Sequence, residues 1–329
     1  MTNTNPLLDF ARKVELSIRL PSNGNWYPEG MIDYTMSGEV EVYPMLPKDE
    51  LMLMNPDALL SGQANVNLIK SCVPAIHQPE KLLYPDLNVL LLAIQKATYG
   101  DKLTMQVVCP ECLRKANEKV EELEELNNEK SKEEQIDIKA AIAEMEKNGE
   151  IMIHQQEIDF DINYFLDRIT YLEPEYIYSL ETGLKIYIKP NTLEDKSNYG
   201  LLQFNQEKIT KSLKDYSLEK ELSDDETRKI STELANSYLN INSIGNKLIT
   251  SSIIKVELPD GSFVDDKDMI LEFISNTPSN IVFDLNEKIY ELNNIGLPKE
   301  LDYECQCCGN KWKDKFYGFN QTDFFGIGS

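Results

Sequence analysis

The chain is poor in histidine, poor in net positive charge and without a long apolar run, and each shortage removes a class of function. Only two histidines, His77 and His154, stand in 329 residues, so proton-transfer catalysis and histidine-based metal sites have little to be built from. A formal net charge of −23 leaves no surplus of lysine and arginine to neutralise phosphates, which argues against DNA or RNA as a partner. Apolar runs such as Leu87 to Ile94 are too short to cross a bilayer, and no basic-then-apolar leader is visible. The expectation is a cytosolic protein with no membrane partner. The sequence also lacks a glycine-rich phosphate loop, a GxSxG elbow, an HExxH helix and a Cys-His pairing, so no enzyme is expected.

What the chain does have is apolar content for real cores, 41% of residues, and two cysteine pairs of one form. Cys109-Pro110-Glu111-Cys112 follows a strand-like run, Lys102 to Val108. Cys305-Gln306-Cys307-Cys308 follows another, Leu301 to Glu304, with Gly309 available for a left-handed turn. Two thiolates in a tight knuckle supply half of a tetrahedral site, so the two knuckles together predict one structural zinc held by Cys109, Cys112, Cys305 and Cys308, in the form of a zinc ribbon. Such a site would clasp the two ends of everything between 113 and 304. The alternatives are a redox dithiol or disulfide, or thiols without a ligand. A thioredoxin-type dithiol lies between a strand and a helix of a βαβ unit, and neither knuckle reads that way. A catalytic zinc would need an open coordination position, which four thiolates do not leave. Cys307 is a possible substitute for Cys305 or Cys308, and Cys72, in the apolar stretch Ile69 to Ile76, reads as a buried small hydrophobe.

Along the chain the hydrophobic period changes from two to about 3.6. Alternating runs at Val14 to Leu20 and Gly38 to Tyr43 predict a small antiparallel sheet, with Trp26 and Tyr27 in the connecting loop. From Lys48 two helices follow, with Asp49 as a cap and Pro56 and Gly62 as interruptions; a third, from Pro85 to Gly100, is broadly apolar and central. Residues 114–150 are charge-dense and free of aromatics, an exposed insertion that is either a solvated face or a docking arm. Glu157 to Ile162 and Lys185 to Lys189 read as strands around a helical segment. A mostly helical region spans Thr192 to Lys255, with a stripe of Ile230, Leu234, Tyr238, Ile241, Ile244 and Leu248. A hairpin turns at Pro259-Asp260-Gly261, and helices near Lys267 to Ile274 and Pro278 to Leu292 lead to the second knuckle. Asp265, Asp266 and Asp268 read as a helix cap rather than a carboxylate metal site.

The stretch Gly38-Glu39-Val40-Glu41-Val42-Tyr43-Pro44-Met45, with Asn55-Pro56-Asp57-Ala58-Leu59-Leu60-Ser61-Gly62, Cys72-Val73-Pro74, Leu90 to Gly100 and the CPEC knuckle, resembles T4-like bacteriophage baseplate hub and hub-assembly proteins. The tail from Cys305 to Phe325 is similar to the end of the same family, while little aligns between 116 and 300. The resemblance implies a myovirus tail protein needed to assemble the baseplate hub, with hub and tape-measure proteins as partners. It would act as a chaperone or scaffold in the host cytoplasm, or remain in the virion as a permanent hub subunit. A zinc-ribbon nucleic-acid regulator and a metal-dependent hydrolase are the rivals from other classes.

The fold class is thus α+β: an N-terminal sheet-and-helix domain with the first knuckle (1–112), a charged helical insertion or arm (113–150), a mainly helical middle region with hairpins (151–300), and the second knuckle with an aromatic tail (301–329). Phe316, Tyr317, Phe319, Phe324 and Phe325 in that tail either dock back or anchor a partner. The loop Trp26-Tyr27-Pro28 poses the same choice, with packing under its own sheet the simpler reading.

Overall fold

The computed structural model describes residues 12–55, 58–59, 61–128, 148, 155–219, 224–298 and 300–315. In chain order the elements are β1 (Leu16–Ile18), β2 (Val40–Val42), α1 (Pro47–Leu53), α2 (Gln63–Cys72), α3 (Tyr84–Tyr99), β3 (Lys102–Val108), α4 (Pro110–Asn128), β4 (Gln155–Asp161) and α5 (Ile162–Leu166). Then come β5 (Tyr176–Ser179), β6 (Lys185–Ile188), α6 (Leu193–Glu219), α7 (Asp224–Ser252), β7 (Ile253–Glu257), β8 (Phe263–Val264), α8 (Lys267–Ser275), α9 (Ser279–Asn293), β9 (Glu300–Glu304) and β10 (Lys311–Lys315). Small antiparallel sheets and helices alternate, the α+β class expected. The middle region holds a strand, β5, in the stretch between β4 and β6 expected to be helical; its aromatic and β-branched run Tyr176-Ile177-Tyr178 favours a strand. The described residues group into two compact units, one within 12–100 and 165–298, the other within 101–164 and 300–315. The first boundary falls at 100 rather than 112 because β3 pairs with β4, Lys102 opposite Asp161 through Val108 opposite Gln155, and with neither N-terminal strand.

In the first unit α3 is the centre of an N-terminal core. Pro85 presets the first turn and Gly100 ends the helix, and between them Leu87, Val89, Leu90, Leu91, Leu92, Ala93 and Ile94 are all buried. A helix so broadly apolar is held by packing, since each fully buried aliphatic side chain contributes about 1.5–3 kcal/mol. β1 and β2 pair through Leu16 opposite Val42 and Ile18 opposite Val40, and α2 adds Leu68, Ile69 and Cys72 to the same core. Asp49 caps α1 from within, accepting the Leu46 N–H at 2.8 Å. Gly62 starts α2 in the left-handed region (φ +71°) with α6 against it: a Cβ there would lie 2.0 Å from the Ser197 Oγ.

A second core of the same unit lies between the antiparallel sheet β5-β6-β7-β8 and helices α7, α8 and α9, with Ile186, Ile188, Ile253, Val256, Ile270 and Leu285 at its centre. Asp266 caps α8 by accepting the Asp268 and Met269 N–H groups, both at 2.9 Å, as the sequence predicts. A buried amide pair ties the layers: Asn191 donates its backbone N–H to the Asn293 Oδ1 (2.8 Å), and Asn293 returns Nδ2–H to the Asn191 Oδ1 (2.7 Å). Asn191 also donates Nδ2–H to the Ser252 Oγ, and its carbonyl accepts the Tyr84 N–H at the start of α3.

Helices α6 and α7 form an antiparallel hairpin whose seam is partly polar. Thr210 and Ser237, both buried, share a 2.7 Å hydroxyl hydrogen bond, and both oxygens lie within reach of the Gln206 carbonyl (2.9 and 3.3 Å), to which the hydroxyl not donating to its neighbour donates. Leu201, Leu202, Phe204, Ile209, Tyr238 and Leu239 face outward. The apolar stripe expected on α7 is therefore offset: Ile230 is buried and Leu234, Ile241, Ile244 and Leu248 are half-buried, but Ser237 takes the inner place expected of Tyr238, which is 46% exposed. The hydroxyl pair explains the offset, because a seam this narrow admits a hydroxymethyl group and not a phenol.

The second unit holds β3-β4, α4 and the hairpin β9-β10, in which Lys311 lies opposite Glu304 and Lys315 opposite Glu300. Its buried apolar side chains are few: Leu103, Ala116, Ile162, Leu301 and Tyr303 among the described residues, together with three cysteines. Only the part of the expected 113–150 arm up to 128, helical and largely exposed, is described, with residue 148. The remainder, and the aromatic tail from 316, lie outside the described residues.

Candidate metal centre

The strands and the hairpin of the second unit bring the two cysteine pairs into one cluster. Cys109 immediately precedes α4 and accepts, through its carbonyl, the Leu113 N–H at 3.0 Å. Cys112 sits in the first turn of that helix. The other pair sits at the tip of β9-β10. There Cys305 donates its N–H to the Asn310 carbonyl (2.8 Å), Gly309 donates to the Cys305 carbonyl (2.9 Å), and Gly309 adopts the left-handed conformation (φ +67°) that the sequence asks of it.

One knuckle is therefore a hairpin tip and the other the first turn of a helix. Contrary to the expectation, the first knuckle does lie between a strand and a helix, because Pro110 presets φ for a helix start directly after β3. The redox context is still absent. β3 and β4 are antiparallel, so α4 is no parallel crossover, and a second cysteine pair faces the first.

The Cys109 and Cys308 sulfurs are 3.6 Å apart, the Cys112 and Cys305 sulfurs 3.8 Å, and all four lie within 4.8 Å of one another. A tetrahedral ion with metal–sulfur bonds of about 2.3 Å needs sulfur–sulfur edges of about 3.8 Å, while a disulfide needs about 2.05 Å. None of the six cysteines is in a disulfide. Four cysteines thus lie close enough to hold a metal ion, and the four are those predicted. Burial acts against charge on the Cys305 thiol, but the backbone N–H groups of Cys308 and Cys307 and the Cys308 and Cys109 sulfurs outweigh it and bring it down to about 6. Cys112 is pushed up, chiefly by burial. Cys307 is exposed and outside the cluster, and Cys72 is buried in the first unit, its thiol raised to about 12 by burial against the nearby Arg12. His77 pairs with Asp33 at 2.8 Å on an exposed surface of the first unit, and His154 lies outside the described residues.

Two side chains that hold this centre carry no motif. The Gln156 amide on β4 donates Nε2–H to the Glu304 carbonyl (2.9 Å) and accepts the Gln306 N–H at Oε1 (3.0 Å), so one buried side chain fixes the entry to the second knuckle. Trp312 on β10 covers the cysteines and stacks on Tyr303 at 5.2 Å, and Tyr303 meets the Phe160 edge at 5.9 Å. The only sequence signal for Gln156 is its place as a polar residue on the inward register of a strand. Around α4 the Glu111–Arg114 pair at 2.7 Å and the Arg114–Glu118 and Lys115–Glu111 contacts are exposed and contribute little to stability.

Among the described residues no helix is long and apolar enough to cross a membrane. No curated protein and no solved structure matches the chain. A family model described as T4 bacteriophage base plate protein matches residues 12–326, so it runs through the stretch from 116 to 300 where residue-by-residue resemblance gave out. The chain belongs to the T4 bacteriophage base plate protein family.

Proposed function

We propose that this protein assembles the baseplate hub of a contractile-tailed phage by protein–protein contact with hub and tape-measure proteins, as a chaperone or scaffold with no catalysis of its own. The observation that carries the reading is the family match over 12–326. A phage base plate is a protein assembly, and an acidic chain without a recognisable catalytic motif suits contact with proteins better than with nucleic acid. Cys109, Cys112, Cys305 and Cys308 hold one structural zinc ion in this reading. Thiolates select zinc among common hard and borderline ions, and a closed four-sulfur sphere gives the ion a folding role and no water to activate. With so few apolar groups in the second unit, the free energy of metal binding is a large part of what folds it. The site of action is the host cytoplasm during tail assembly.

The test is co-expression with the hub and tape-measure proteins of the same phage genome, followed by affinity purification. Co-purification of either supports the reading, and absence of both overturns it. Mass spectrometry of purified virions then separates the roles: a stoichiometric chain in the particle makes it a permanent hub subunit instead of an assembly factor.

A further inference from the structure

The first unit bears an open cleft of about 690 Å³, within the size range of small-ligand and side-chain recognition pockets. In a chain of net charge −23 its lining is the exception, with Lys81, Lys189, Lys247 and Lys267 against three carboxylates. The Lys81, Lys189 and Lys247 ammonium groups make no hydrogen bond or ion pair among the described residues. Lys267 donates to the Thr250 carbonyl (3.3 Å) and to that of Ile253, at the end of α7. Of the carboxylates, Asp195 accepts the Thr192 hydroxyl (2.7 Å) and N–H (3.1 Å) and its charge offsets part of the burial of Lys189 and Lys267, Asp268 lies in the first turn of α8, and Glu194 is exposed.

The opposite wall is apolar and held in place. Trp26 keeps a left-handed backbone (φ +67°), a conformation a bulky residue adopts only when its surroundings impose it. The surroundings are visible. The buried Asp86 carboxylate accepts the Ser22 N–H (2.8 Å), the Ser22 hydroxyl (2.5 Å) and the Tyr27 hydroxyl (2.6 Å), and the Tyr27 oxygen accepts the Leu83 N–H (2.9 Å). This fixes the 22–28 loop so that Trp26, stacked on Tyr176 at 6.4 Å, and Tyr27 face the cavity with Leu83 and Leu271.

We propose that this cavity is a recognition pocket for a partner polypeptide segment presenting one carboxylate beside an aromatic or aliphatic side chain. The proposal deepens the assembly reading and rests on it for the source of the segment. Four lysines against three carboxylates favour a single negative charge and disfavour a polyphosphate, which the nearby carboxylates would repel. The helix starts that border the cavity do not offer a phosphate cradle, because Asp266 already caps α8 and Thr192 and Asp195 cap α6. The aromatic wall takes the apolar neighbour of the carboxylate. Burial lowers Lys189 and Lys267 below the ordinary lysine range, and a carboxylate received between them offsets that loss.

The chain has two tryptophans, so 5-fluorotryptophan labelling gives two ¹⁹F resonances, assigned with Trp26→Phe. Titration with Ac-Phe-Glu-NH2 is expected to shift the Trp26 resonance saturably at about 0.1–10 mM, the affinity that ligand-efficiency limits allow so small a probe. Ac-Phe-Gln-NH2 is expected to bind at least tenfold more weakly. Lys189→Met, which keeps the apolar stem, and the exposed Lys247→Gln are expected to weaken the glutamate peptide similarly, with a cooperative thermal melt retained in each variant to show that the first unit stays folded. Absence of any Trp26 shift, equal binding of both peptides, indifference to both lysine variants, or tighter binding of pyrophosphate would each overturn the proposal. The measurement uses the isolated chain. A negative result here leaves co-purification with hub proteins standing, and failed co-purification with retained peptide binding removes only the assembly reading.

Discussion

Asp86 offers a perturbation whose sign and size follow from the structure. Its carboxyl is fully buried in the first turn of α3, and burial raises it from 3.8 to about 6 against the lowering pull of Ser22 and Tyr27. Because it is raised in the folded state, its contribution to stability is fully present below its unfolded value near 3.8 and is lost as pH rises through about 6. The full difference is about 3 kcal/mol, at about 1.4 kcal/mol for each pH unit separating the two values. Between pH 5 and pH 7 the part realised is about 1.3 kcal/mol. Asp86→Asn keeps the shape, does not titrate, and can exchange hydrogen bonds with Tyr27 and Ser22. Urea unfolding of both proteins at pH 5, 6 and 7 cancels the titration of the other acidic residues, which the two share. Stability of the wild type relative to Asp86→Asn is expected to fall by about 1 kcal/mol from pH 5 to pH 7. A flat or rising difference would refute a carboxyl raised by burial and with it the view that the 22–28 loop is held at electrostatic expense.

Other perturbations test the packing directly. Gly62→Ala is expected to destabilise the first unit by at least about 1–2 kcal/mol, since the left-handed backbone alone costs that much and the new methyl meets Ser197. A Gly62→Ala, Ser197→Gly double variant should recover only the steric part, as read by thermal melting. Asn293→Ala leaves the Asn191 N–H and Oδ1 buried and without that partner, an expected loss of about 2–4 kcal/mol in urea unfolding from two orphaned groups. Lys196, half-buried with its ammonium 3.8 Å from the centre of the Tyr84 ring, is lowered to about 8 by burial. Its stabilising contribution is therefore present above pH 10.5 and lost as pH falls through 8, so the stability advantage of Lys196→Met is expected to narrow between pH 8 and 10.

Elements with a strong local signal were legible in the sequence. Pro85, the Leu87 to Ile94 run and Gly100 define α3, and Pro259-Asp260-Gly261 defines the β7-β8 turn, since each feature acts within a few residues. The four-cysteine set was legible because thiol spacing is itself the chemistry. The rest depends on contacts distant in sequence. Gln156 acquires its role only when β4 comes beside the 304–306 segment, and Ser237 displaces Tyr238 from the seam only because Thr210 stands opposite. The lysine-lined cavity joins the 26–28 loop to residues between 189 and 271, and no local period could disclose it.

The central claim is that four cysteines close the second unit around one zinc ion. It is tested most directly by metal analysis of the purified chain alongside its Cys109→Ser and Cys308→Ser variants, with melting curves for all three. One zinc per wild-type chain, with metal lost and the second unit unfolding early in both variants, is the expected result. Wild-type protein that purifies folded without metal, or variants that keep the ion and melt unchanged, would contradict it.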